Sequence, residues 1–135
     1  RVVAEDTEGK LYMSAIPIRA SGGCSGYMDV FDPELTANLG KILFKSKDEY
    51  LTTRIKHPNF TGLQKDLDSG GYIPRWIVEE IIYINNEEII LVAQNKISMS
   101  QDPYLKFKVN SEIKGALNIM VRDTKGQGFN KEISI

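Results

Sequence analysis

Two side chains in this sequence could do chemistry that the rest cannot: the single cysteine, Cys24, and the single histidine, His57. A thiolate is a nucleophile, a metal ligand and a redox centre, and its reactivity is set by what lowers its pKa. Cys24 stands in Ser21-Gly22-Gly23-Cys24-Ser25-Gly26, with no histidine, lysine or arginine within four residues and Arg19 as the nearest cation. Such surroundings do not activate a catalytic nucleophile. They suit a handle on which other proteins act, because glycine lets the backbone roam and leaves nothing apolar to bury the sulfur. The residues by themselves leave three readings open: an attachment site, an incidental thiol in a linker, and one half of an intermolecular disulfide.

Other constellations carry less. One histidine and one distant cysteine fall short of a zinc set, so no metal is expected. Asp66-Leu67-Asp68-Ser69-Gly70-Gly71 starts like a calcium loop, but Ile77 occupies the twelfth position where a bidentate glutamate is required, so a solvated turn is expected. The pairs Glu79-Glu80 and Glu87-Glu88 lie in strand-like sequence, where neighbours point to opposite faces and cannot share one proton. Gly126-Gln127-Gly128 lacks the strand-to-helix setting of a phosphate loop and reads as a hairpin turn. Asn59-Phe60-Thr61 is a formal glycosylation sequon. His57 precedes Pro58 and reads as a strand-ending residue, with assistance to the thiol as the other reading, should the arm fold back on it.

The elements that must position these residues are all-β. The chain has 135 residues, enough for one domain with an appendage that buries roughly two thirds of its unfolded surface. Acidic and basic residues nearly cancel, 18 against 17, and the lysines are dispersed along the sequence, so no phosphate-binding face and no nucleic-acid partner are expected. No apolar run reaches the roughly 20 residues of a membrane-spanning helix, and Arg1 opens no signal peptide. The first residue is not methionine, and the sequence reads as a fragment or a processed product.

Lys10 to Ile18 reads as one strand, which must pair with the later domain or with an absent segment. After the arm, Asp32-Pro33-Glu34 begins a short linker helix and Gly40 closes it. From Lys41 the pattern is strands between turns: Ile42-Leu43-Phe44, Tyr50 to Ile55, Trp76 to Ile84, Glu88 to Val92, Tyr104 to Val109, a strand through Leu117, Ile119 and Val121, and a last one ending at Ile135. Polar turns at Lys47-Asp48, Asn85-Asn86 and Asp123-Thr124-Lys125-Gly126 separate them, and a polar loop runs from Asn59 to Gly71. About seven strands in this spacing predict an immunoglobulin-like β-sandwich.

Taken in order, these motifs resemble the YZ sulfur carrier of the bacterial Sox thiosulfate-oxidising system. The arm holding Cys24 is similar to the Gly-Gly-Cys-Gly-Gly end of the Y subunit. His57-Pro58-Asn59-Phe60-Thr61-Gly62, Lys65-Asp66, Ile73-Pro74-Arg75, Asp102-Pro103-Tyr104 with Phe107, and Asp123-Thr124-Lys125-Gly126 are similar to the landmarks of the Z subunit. The resemblance implies a division into 1–26 (last strand and cysteine arm of a Y-like domain), 27–40 (linker with a short helix) and 41–135 (Z-like sandwich). In that family Y and Z are separate chains, whereas here Cys24 is internal. Ser25 stands where a glycine usually follows the cysteine, and Asn59 where a methionine is common.

The resemblance implies a periplasmic, non-catalytic carrier without a cofactor. Cys24 is then the covalent attachment residue, and Gly22, Gly23, Ser25 and Gly26 form the pliant arm. The implied partners are a Y-like half of the same protein, a c-type cytochrome, a sulfate-releasing hydrolase and a dehydrogenase. From Ile18 to Cys24 an extended arm spans roughly 20 Å at about 3.3 Å per residue. The alternatives are a β-sandwich interaction module whose cysteine does no chemistry, and a thiol redox protein that dimerises through Cys24.

Overall fold

The computed structural model describes residues 2–16, 25–109 and 113–135. In chain order its strands are β1 (Val2–Glu5), β2 (Leu11–Ser14), β3 (Tyr27–Met28), β4 (Ile42–Lys47), β5 (Tyr50–Ile55), β6 (Lys65–Asp66), β7 (Val78–Asn85), β8 (Glu88–Gln94), β9 (Tyr104–Lys108), β10 (Ala116–Asp123) and β11 (Gly128–Ser134).

Period-two alternation decides which side of each long strand is apolar. On β10 the side chains of Leu117, Ile119 and Val121 are buried while Met120 and Arg122 face water. On β5 Leu51, Thr53 and Ile55 point inward. Chains patterned this way bury one face by stacking two sheets. β4, β5 and β9 form one sheet in the order β4-β5-β9, and the other has the order β11-β10-β7-β8, with every pairing in both antiparallel. Ile42, Leu51 and Ile55 from the first meet Val78, Ile81, Tyr83, Leu117, Ile119 and Val121 from the second in one core. Each such side chain contributes about 1.5–3 kcal/mol by leaving water. Three strands packed on four give the expected immunoglobulin-like sandwich.

Several local expectations change. The strand predicted over Lys10 to Ile18 is shorter among the described residues, and β2 pairs with β1, from Val2↔Ser14 to Glu5↔Leu11. Asp6 closes this hairpin, its Oδ1 accepting from the amides of Glu8 and Lys10 at 2.9 Å and its Oδ2 from the Tyr12 hydroxyl at 3.0 Å. All eight strand residues of the hairpin are exposed.

The linker helix is a single 3-10 turn, Pro33–Leu35, capped by Asp32, whose Oδ1 accepts the Glu34 amide. Two turns of helix yield too few hydrogen bonds to repay nucleation, and tertiary contacts take over instead. Leu35 and Leu39 pack on Phe60, Ile73 and Trp76, and the Gly40 amide donates to the Lys56 carbonyl at 2.8 Å. Gly40 has φ +77° and lies against the Phe129 ring, so only glycine fits there.

The third strand starts at Val78 rather than Trp76, because Trp76 pairs instead with Phe60 across a single bridge. The β7–β8 hairpin turns through Asn86 and Glu87, both at positive φ as a type I′ turn requires. Glu79 and Glu80, expected on opposite faces, both reach Arg122, at 4.0 and 3.6 Å, since the β10–β7 register slips beside Arg122.

Candidate functional site

The landmark motifs, spread over residues 57–126, converge at one end of the sandwich around His57. Its imidazole is buried, 1% exposed, with Trp76 edge-on at 5.0 Å between ring centroids. His57 Nδ1 accepts the Asn59 backbone N–H at 3.0 Å, which fixes the proton of the neutral ring on Nε2. Nε2 faces Asp123 Oδ2 at 3.5 Å, and the same oxygen accepts the Trp76 indole N–H at 2.7 Å. Asp123 Oδ1 accepts the Lys125 and Gln127 amides, each at 2.9 Å. The Lys125 ammonium then lies 3.5 Å over the Trp76 ring.

Three further links close the cluster. Asn59, at φ +52°, accepts the Val78 amide on Oδ1 and donates from Nδ2 to the Met99 carbonyl, at 2.8 and 2.7 Å. Asp102 donates its amide to the His57 carbonyl at 2.9 Å, and its carboxylate takes the His57 amide and the Lys56 ammonium. Thr61 bonds to the Gln64 side chain at 2.7 Å through its amide, and Gly62, at φ +89°, lets Arg75 pack close.

Burial pushes the His57 pKa below its ordinary value, against the pull of Asp123. For Asp123 burial acts upward, yet hydrogen bonds from Trp76, Gln127, Lys125 and His57 outweigh it and hold the carboxyl below the usual range. The neutral histidine thus has both nitrogens engaged and neither open to solvent. It ties β5, the β10–β11 turn and the Trp76 segment together, so it is more than a plain strand end.

The other predicted site residues fall around this cluster. Pro58 and Pro103 are buried, Pro74, Arg75 and Tyr104 are exposed, and the Arg54 guanidinium lies 5.9 Å over the Tyr104 ring. Asn59 of the sequon is 0% exposed and cannot accept a glycan in the folded chain. Asp66 sits in a turn where its Oδ2 takes the Ser69 amide and hydroxyl at 3.1 and 2.6 Å. Cys24, Gly22 and Gly23 lie outside the described residues.

The segment after Cys24 is attached to this same end. Ser25 and Gly26 are exposed, the Gly26 carbonyl accepts the Lys65 amide at 2.7 Å, and β3 runs parallel to β6. Two open grooves flank the attachment, one of about 380 Å³ beside Tyr27, Asp32 and Lys56, the other of about 430 Å³ over Phe60, Ile73, Trp76 and Lys125. Among the described residues no three His, Cys, Asp or Glu side chains converge as a metal site.

Asn59, Trp76 and Gln64 join this cluster without a local sequence pattern that marks them. Asn59 read as the first residue of a polar loop, but its two hydrogen-bond partners, Val78 and Met99, lie 19 and 40 residues away.

Sandwich and buried clamp together define an immunoglobulin-like module. Residues 45–134 match the family model of the sulphur oxidation protein SoxZ, and the chain belongs to that family. Its role accordingly lies in sulfur oxidation, among the other components of the Sox system. No curated protein matches the chain. Among solved structures it is similar to a hypothetical protein from Pyrococcus horikoshii OT3, at 12% identity and TM-score 0.44, covering 72% of this chain and 87% of that one. A superoxide reductase in the oxidised state is similar at 12% identity and TM-score 0.44, covering 83% and 96%.

Proposed function

We propose that this protein is a fused Y-Z sulfur carrier of the periplasm: it performs no catalysis itself, and Cys24 holds the sulfur intermediate while partner enzymes transform it. The family match and the residues around Cys24 support this reading. The observation that carries it is the pairing of Gly26 and Met28 with the segment Lys65 to Leu67, which roots the arm on the family's landmark end. Cys24 is two residues from that root, so its Cα lies within about 7 Å of the Gly26 Cα whatever the arm does.

The chemistry suits an unactivated thiol. Joining thiosulfate, Cys–S⁻ + S₂O₃²⁻ → Cys–S–S–SO₃⁻ + 2e⁻, needs an electron acceptor, and a c-type cytochrome supplies one. Hydrolysis, Cys–S–S–SO₃⁻ + H₂O → Cys–S–S⁻ + SO₄²⁻ + 2H⁺, belongs to a sulfate-releasing hydrolase, and oxidation of the remaining persulfide to a dehydrogenase. Thiol exchange can uncap such adducts. The arm is tethered on both sides and enters these partners as a bent loop. The exposed β1–β2 hairpin belongs to the Y-like half, which completes its burial.

Intact mass of the protein purified from cells oxidising thiosulfate tests this reading. The wild type should carry a sulfur-containing mass increment that reductant removes, and Cys24→Ala should carry none. A wild type with no increment overturns the proposal, and a reductant-sensitive dimer in its place favours the redox alternative.

A further inference from the structure

Sequence order scatters the lysines, but strand alternation gathers five cations on one surface, the outward face of the β4-β5-β9 sheet. Its register lays three rows across that face: Leu43–Arg54–Tyr104, Lys45–Thr52–Lys106 and Lys47–Tyr50–Lys108. All five cations are exposed. In the two rows that hold a pair of cations a neutral residue separates them, so Lys45 and Lys106 stand about 10 Å apart across Thr52 and no two of the five are direct cross-strand neighbours. Aromatic rings steady two of them, with Lys106 Nζ 4.5 Å from the Tyr50 ring centroid and Arg54 against Tyr104. The acids beside the face, Asp48 and Glu49, sit in the β4–β5 turn, and Glu49 is paired with Lys108 at 2.7 Å.

The outer face of the other sheet is built differently: Arg122 stands between Glu79 and Glu80, and exposed Met120 and Val92 lie beside half-buried Ile82. Lysines on β4 and β9, both edge strands, also resist the addition of a further strand. That role asks only for charge at the edges, and does not account for Arg54 on the middle strand or for rings that hold the cations in place.

We propose that this face docks an acidic protein surface. Cations within about one or two Debye lengths of one another sum into a field that steers a negatively charged partner. Four of the five are lysines, strongly hydrated point charges on flexible stems, which favour a fast, salt-sensitive encounter over a tight, bidentate one. A face with a single arginine offers little bidentate contact to the phosphates of a nucleic-acid backbone. The surface does not involve Cys24, and the inference goes beyond the carrier reading.

Binding of labelled poly-L-glutamate to the whole chain, compared with duplex DNA and phosphatidylglycerol vesicles, tests it. The wild type should bind poly-L-glutamate, and raising salt from about 50 mM to about 0.3 M should weaken binding roughly tenfold or more. Lys45→Glu/Lys106→Glu should lose at least about tenfold, while the charge-matched pair Lys96→Glu/Lys114→Glu, exposed elsewhere, should lose less than about twofold. Equal losses in the two variants would reduce the effect to net charge and overturn the proposal. So would a wild type that ignores poly-L-glutamate, or one that prefers DNA or vesicles. Both pairs are surface side chains, and far-ultraviolet circular dichroism confirms that each variant is folded before binding is compared.

Discussion

Acidification from pH 7 to pH 5.5 should destabilise this protein, and the loss should trace to one residue. His57 is the only histidine in the chain, so no other side chain with an ordinary pKa titrates in this window. Its folded pKa lies below the ordinary value of 6.5 because burial penalises the charged ring. Above pH 6.5 the ring is neutral in both states. As pH falls through 6.5 the unfolded chain takes up a proton that the folded chain refuses, so the unfolded state is favoured. One proton of difference costs at most about 1.4 kcal/mol per pH unit, or up to about 1.3 kcal/mol between pH 7 and 5.5.

Trp76, the only tryptophan, lies against His57 and reports unfolding by its fluorescence. The urea midpoint should drop by roughly 0.5–1 M between the two pH values, and His57→Gln should abolish the drop. A midpoint that stays level or rises on acidification would refute the reasoning, because it would mean that attraction to Asp123 outweighs burial.

Asp123→Asn places an amide where four donors converge on two carboxylate oxygens, and should cost about 2–4 kcal/mol in urea unfolding, since a buried donor is left unpaired. Gly40→Ala puts a methyl 2.0 Å from Phe129 Cδ1 at a positive φ, and should lower stability by about 2–3 kcal/mol; a neutral effect would show that the ring gives way. Phe107 is half-buried, with its ring 4.8 Å from Tyr83, so Phe107→Ala should cost about 2–3 kcal/mol, below the roughly 3–5 kcal/mol of a fully buried phenylalanine.

Alternation made the long strands legible. Leu105, Phe107 and Val109, or Leu117, Ile119 and Val121, announce an inward face with no knowledge of what packs on it, because side-chain direction in a strand is a local property. Short elements were harder to read. The linker helix is only one turn because Leu35, Leu39 and Gly40 find tertiary partners, and Trp76 leaves its strand to bridge Phe60. The hairpin β1–β2 was half seen, since Lys10 to Ile18 reads as a strand but its pairing with β1 does not.

The sequence by itself determined an all-β sandwich, its strand positions to within a few residues, and the motifs that point to sulfur oxidation, because hydrophobic period and turn residues act over short distances along the chain. Tertiary structure alone decided what His57 does and where the cations gather. His57 and Asp123 are 66 positions apart, and Lys45 and Lys106 share a face only because β5 pairs with both of their strands. Contacts of that range are created by register and by sheet packing, which no local pattern encodes.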